Sequence, residues 1–189
     1  MRVIAGKYRS RQLKSIKGLS LRPTSDRLRE TLFNVLKDLV VGSRFIDAFA
    51  GTGAVGIEAL SRGAQQVIFI EKHAPTAALI RENLESLQIT QAVRVLTVDA
   101  LQGFQRLAQA TSSQSLIVFL DPPYDHATDY DRVLAFLGSA DFLAPNSLVI
   151  AEHRRTFRLP ENFGTLQCVR VLPQGDATLT FYRLQPQPR

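Results

Sequence analysis

Cysteine occurs once in the 189 residues, at Cys168, tryptophan is missing, and methionine stands only at Met1. A single thiol closes no intramolecular disulfide and builds no cysteine-rich zinc site. The histidines, His73, His126 and His153, lack metal-ligand spacing, so no metal is expected. No apolar run approaches the ~20 residues that a membrane-spanning helix needs, and the first residues do not resemble an apolar signal segment. A cytoplasmic protein without membrane contact is expected. What is present is ordinary: 45% hydrophobic and 21% charged residues, the composition of a soluble globular chain rather than a disordered or collagenous one. The chain is long enough to bury roughly two-thirds of its unfolded surface.

The net charge of +6 is unevenly placed. Residues 1–37 carry ten Lys and Arg against Asp26 and Glu30, a net +8, and the rest of the chain carries −2. Two readings of this segment remain open on charge alone: a polyanion-binding arm or a solvated basic extension. Within it, Arg2 to Ala5 and Arg11 to Ser15 read as small strands of a hairpin. Pro23-Thr24-Ser25-Asp26 reads as a helix start. Leu28, Leu32, Val35, Leu36 and Leu39 recur at helical spacing, with Gly42 just past the expected end.

From Arg44 onward short apolar runs alternate with helical segments, the pattern of parallel strands joined by crossover helices. Strands are expected near 44–49, 66–71, 92–97, 115–120 and 147–151, with helices near 54–62, 74–87, 100–109 and 127–138. Residues 165–172 and 177–184 form an antiparallel hairpin about Pro173-Gln174-Gly175-Asp176. The expectation is a Rossmann-like α/β fold with a mostly parallel seven-stranded sheet ending in that hairpin. Residues 1–22 form a small basic extension, 23–184 the main domain, and 185–189 a frayed tail.

Three constellations carry chemistry. Asp47 ends a buried run, and Gly51, Gly53 and Gly56 follow at G-x-G-x-x-G spacing, a turn that admits a ligand to the backbone and a helix close to the sheet. Glu71 closes the second strand, where a carboxylate accepts bonds from ribose hydroxyls, and Asp99 closes the third. Each acid alone also suits a helix cap. Together they favour an adenosine-containing ligand, whether dinucleotide or S-adenosylmethionine. At the end of the fourth strand stands Asp121-Pro122-Pro123-Tyr124. Two prolines after a buried strand remove amide donors and stiffen the chain. The resulting turn holds the Asp121 carboxylate and the Pro122 carbonyl as acceptors for an exocyclic amine, with the Tyr124 ring to stack on a base. A nucleotide-dependent oxidoreductase leaves this turn unexplained, and a non-catalytic RNA-binding module leaves the glycine turn unexplained. His126 reads as a surface-loop residue.

The blocks at Asp47 to Gly53, Glu71, Asp99 and Asp121 to Tyr124 resemble the successive motifs of S-adenosylmethionine-dependent amino-methyltransferases of class I. The opening Met1 to Arg9 and the stretch Leu21 to Asn34 resemble the RsmD-like bacterial family, as do Gly175-Asp176 and Phe181-Tyr182. That resemblance implies a methyl transfer to N2 of one guanine, guanine-966 in customary numbering, in small-subunit ribosomal RNA, free or within an assembling subunit. It implies S-adenosylmethionine contacts from Asp47, Phe49, Gly51, Thr52, Gly53, Gly56, Glu71, Lys72, Asp99, Ala100 and Asp121. Asp121, Pro122 and Tyr124 are the implied catalytic residues, and Arg2, Lys7, Arg9, Arg11, Lys14, Arg22 and Arg27 the RNA contacts of a monomeric enzyme. Asp-Pro-Pro-Tyr also occurs in adenine-N6 enzymes, so adenine N6 or a protein glutamine remains an alternative acceptor.

Overall fold

Ser25 opens the first helix, α1 (Asp26–Leu36), by accepting the Leu28 amide on its side chain at 3.2 Å. Leu28, Leu32, Phe33 and Leu36 face inward, while Arg27, Glu30 and Asn34 are exposed. The helix does not reach Gly42. Lys37 takes φ +43° and the chain continues as a 3₁₀ turn, Lys37–Val40. The break rotates the apolar face: Val40 is buried and Leu39, expected inside, is 54% exposed. With Leu39, Val40 and Val41 adjacent, periodicity had no means of choosing which one turns inward.

Residues 1–15, 25–110, 115–123 and 127–185 are described in this computed structural model, whose chain divides into two units, Met1–Asp99 and Ala100–Arg189. The first unit continues with β1 (Arg44–Ala48), α2 (Ala54–Ser61), β2 (Gln66–Ile70), α3 (Ala74–Ser86) and β3 (Val93–Leu96). Its strands are all parallel in the order β3-β2-β1, with Phe45 opposite Val67 and Ile68 opposite Arg94. Phe45, Ile46, Val67 and Phe69 are buried, as parallel strands covered by helices require. On α3, Ala77, Ile80 and Leu84 form one buried apolar face, continued by Leu87 just past the helix end.

The basic N-terminal segment is docked within this unit. Arg2 bridges Gln12 antiparallel, and Val3 and Leu13 are buried. One bridge forms where two short strands were expected: the Val3 and Leu13 amides donate within the segment, to the Arg11 and Met1 carbonyls, while those from Ile4 to Tyr8 other than Gly6 turn to α2. The amides of Ile4 and Ala5 donate to the two oxygens of Glu58 at 2.8 and 3.0 Å. The Lys7 amide donates to the Ser61 carbonyl at 2.7 Å and that of Tyr8 to the Ser61 hydroxyl at 2.9 Å. Gly6, at φ +81°, is pressed against the Ser61 backbone so closely that no Cβ fits. Arg29, fully buried on α1, donates to the Arg2 carbonyl at 2.7 Å and to Asp26 at 2.8 Å. Burial pushes the Arg29 guanidinium pKa down, while Asp26 and Glu58 oppose the shift.

The second unit contains α4 (Ala100–Ala110), β4 (Leu116–Leu120), α5 (Ala127–Ser139), β5 (Leu148–Arg154), β6 (Asn162–Phe163), β7 (Leu166–Gln174) and β8 (Ala177–Leu184). β4 and β5 are parallel, β8 runs antiparallel between β5 and β7, and β6 pairs with β7. The described strands therefore number eight rather than seven. The extra one, β6, is two residues long and too short to leave an alternation in the sequence. Gly175, at φ +62°, supplies the left-handed residue in the two-residue link between β7 and β8.

Candidate cofactor and acceptor sites

The glycine turn follows β1 directly. Gly53 is the N-cap of α2 at φ +77° and has no side chain with which to satisfy the first-turn amides. Asp47 supplies the missing acceptor: its Oδ2 receives the Gly56 amide at 2.8 Å, and the carboxylate is 2% exposed. Phe49 adopts φ +62° between this acid and Gly51 at φ +54°. For an aromatic residue that conformation costs about 1–3 kcal/mol and survives only where its surroundings impose it. At Gly56 a Cβ would run into the Phe69 ring and lie 2.9 Å from Val67. The third glycine thus brings α2 against β2, the neighbouring strand.

Glu71 follows β2 and is tied to the same turn. Its Oε2 accepts the Gly51 amide at 2.9 Å and its Oε1 the His73 amide at 2.8 Å. Each carboxylate oxygen retains acceptor capacity for a ligand hydroxyl after one such bond. Asp99 was expected to end the third strand; β3 stops at Leu96, and Asp99 instead directly precedes α4. The glycine turn, Glu71 and Asp99 all follow the carboxyl ends of the parallel strands β1, β2 and β3, where open α/β sheets bind ligands. Lys72 is exposed, and Thr52 and Asp99 are half-buried.

In the second unit Asp121 follows β4, half-buried, with Pro122 buried and Pro123 exposed. Ala100 is buried in the first turn of α4. Tyr124, His126 and Arg22 lie outside the described residues.

Of the basic side chains singled out, several are already engaged. Arg11 donates to the Ser86 carbonyl at 3.0 Å, Lys14 pairs with Glu82 at 2.9 Å, and Arg2 approaches Asp26 at 3.9 Å. Lys7 sits over the Tyr8 ring, and Arg9 and Arg27 are exposed. His153 is buried in the second unit; its Nδ1 lies 2.9 Å from the Arg154 carbonyl and its Nε2 2.8 Å from the Thr180 hydroxyl. A carbonyl only accepts, so Nδ1 carries the proton and Nε2 receives the hydroxyl. Burial lowers the pKa of this ring. Among the described residues no cluster of three His, Cys, Asp or Glu side chains is placed to hold a metal ion.

Sequence reading missed Glu58 and Asn83, both fully buried. The signal was available. Asn83 falls with Ile80 and Leu84 on the inward face of α3, where a polar residue must find partners.

A family model described as Conserved hypothetical protein 95 matches residues 1–183. The "Ribosomal RNA small subunit methyltransferase D" of Escherichia coli K12 is 36% identical over 187 residues, covering 99% of this chain and 91% of that protein. The protein of the same name from Haemophilus influenzae is 35% identical over 169 residues, covering 88% and 86%. The solved structure of the Escherichia coli yhhF protein superposes with a TM-score of 0.83 at 32% identity, covering 99% of each chain. The order of helices and strands, with its antiparallel end, is the Rossmann-like methyltransferase fold. The chain belongs to the Conserved hypothetical protein 95 family, together with the ribosomal RNA small subunit methyltransferases D.

Proposed function

We propose that this protein transfers a methyl group from S-adenosylmethionine to the exocyclic N2 of a guanine in small-subunit ribosomal RNA. The observation that carries the reading is the bond from the Gly51 amide to the Glu71 carboxylate, which joins the glycine turn to an acid in one place. Gly51 and Gly53 present backbone without side chains, and Glu71 keeps free lone pairs for ribose hydroxyls, so the residues fit an adenosine cofactor. The names of the family relatives supply the substrate class.

S-adenosylmethionine, when bound, supplies an electrophilic methyl group on a sulfonium. The chain's part is to orient a weak nucleophile, since the lone pair of a guanine amine is delocalised into the ring. Orientation of this kind is worth up to about 7–11 kcal/mol of barrier. In this reading the Asp121 carboxylate and the Pro122 carbonyl accept the two amine hydrogens and favour the geometry in which the nitrogen lone pair attacks. Tyr124 stacks on the base. As the new N–C bond forms the C–S bond to the sulfonium would break, leaving a thioether, and the amine, made acidic, would give its proton late to the Asp121 carboxylate or water, so Asp121 need not be a strong base. A paired base cannot enter such a recess and is taken single-stranded or flipped out, at a cost of a few kcal/mol. Phosphate contacts from Arg9 and its neighbours offset that cost.

The test is transfer of labelled methyl to ribosomal RNA from cells lacking the protein, followed by nucleoside identification. N2-methylguanosine is expected. N6-methyladenosine moves the acceptor to adenine, the alternative that Asp121-Pro122-Pro123-Tyr124 favours, and no labelled nucleoside removes the reading.

A further inference from the structure

The basic segment and the glycine turn are joined by one buried side chain. Asn83 is fully buried, and its amide makes three hydrogen bonds. Its Oδ1 accepts the Lys14 amide at 2.8 Å, while its Nδ2 donates to the Lys14 carbonyl at 3.3 Å and to the Thr52 carbonyl at 3.1 Å. Both amide hydrogens are thereby used, one on each partner. Thr52 sits between Gly51 and Gly53, both in the left-handed region, so its peptide groups are held by few steric restraints of their own. A second contact reaches the same residue from the other end of the segment, where the Thr52 hydroxyl faces the Met1 sulfur at 3.9 Å. Met1 is tied to Leu13, the neighbour of Lys14, whose amide donates to the Met1 carbonyl at 2.9 Å.

We propose that Asn83 is a positioning residue that couples RNA docking on residues 1–15 to the shape of the cofactor turn, so that each ligand tightens the other. The proposal rests on the methyltransferase reading above. RNA bound to the segment restricts the Lys14 backbone. Through Asn83 that restriction passes to the Thr52 carbonyl, and the turn is ordered before the cofactor arrives. A turn already ordered loses less freedom on binding, which is positive cooperativity without a change of fold. Linkage requires the effect to be equal in both directions. The Glu58 and Ser61 bonds anchor the rest of the segment on α2, which confines the transmitted change to its Lys14 end.

The experiment measures S-adenosylmethionine affinity by calorimetry with and without a small-subunit ribosomal RNA transcript, for the natural chain and for Asn83→Ala and Asn83→Asp. In the natural chain RNA is expected to tighten cofactor binding about five-fold, the lower end of ordinary coupling. In both variants the ratio falls to about one. Asn83→Asp keeps the acceptor for the Lys14 amide and replaces the donor that faces the Thr52 carbonyl. A merely structural role for Asn83 weakens the fold or either affinity but leaves their ratio unchanged, and a ratio that persists in both variants overturns the proposal. So does a ratio of one in the natural chain when both ligands bind. A natural chain that fails to bind cofactor or RNA overturns the methyltransferase reading itself, and the coupling with it. Should the variants not fold, amide hydrogen exchange at residues 51–53 of the natural chain decides: RNA alone slows it if the coupling exists, and unchanged exchange overturns it.

Discussion

The carboxylate of Asp47 caps a helix that begins at Ala54, receiving the Gly56 amide at 2.8 Å because the N-cap residue, Gly53, has no side chain of its own. One acid therefore does two tasks: it pairs within β1, opposite Phe69, and stabilises the glycine turn that β1 feeds. Asp47→Ala is expected to destabilise the fold by about 1–3 kcal/mol, the usual cost of stranding a buried donor. Asp47→Asn, which retains an acceptor oxygen, is expected to cost less. Urea denaturation of the two variants checks the order, and equal losses would assign the effect to charge rather than to capping.

Gly56→Ala places a methyl group against the Phe69 ring and Val67. Overpacking at such a contact costs about 1–3 kcal/mol, and for a chain of this size a loss of 1 kcal/mol lowers Tm by roughly 2–4 °C. An unchanged melting temperature would show that α2 shifts away from β2 without cost.

Neutralising Arg9, Arg11 and Lys14 together should weaken RNA binding while leaving cofactor affinity in the absence of RNA unchanged. The three are not equivalent. Arg11 and Lys14 already bond to Ser86 and Glu82, whereas Arg9 is exposed. Arg9→Gln is expected to flatten the dependence of log K on log salt by roughly one unit, the share of one phosphate contact. RNA affinities that match the unmodified chain at every salt concentration would remove the segment from the interface.

Asp121→Ala is expected to abolish methyl transfer and to retain cofactor binding. The two measurements separate the two roles implied for it: near-normal turnover would eliminate Asp121 as an acceptor of the amine, and lost cofactor affinity would make its cofactor contact the dominant one.

His153 makes a prediction about pH. Its folded pKa lies below the ordinary value because burial disfavours the charged ring. The unfolded chain therefore binds the proton more readily, and by linkage stability falls as pH drops below about 6.5, the usual histidine value, toward the lower folded value. Above that range the contribution is fully present. Comparing unfolding free energies between pH 5 and 8 for the natural chain and His153→Gln checks this; the variant's curve is expected to be flatter over that interval, and parallel curves would contradict it.

The alternation of buried strands and amphipathic helices was written in the order of residues from Arg44 to Leu184, because continuous apolar runs and period-3.6 burial leave direct marks on a sequence. The glycine turn and the acid beside it, Glu71, were legible because each depends on residue type at a fixed local spacing. Leu39, β6 and the two-residue gap between β3 and Asp99 were not legible, since each is settled by a break or a pairing too short to have a period. Tertiary structure alone decided that the basic N-terminal segment lies docked on α2 and α3, and that Glu58, Asn83 and Arg29 hold it there. Those contacts join residues 27 to 69 positions apart. A buried polar atom announces that it needs a partner, but only the folded chain brings that partner within 3 Å or so.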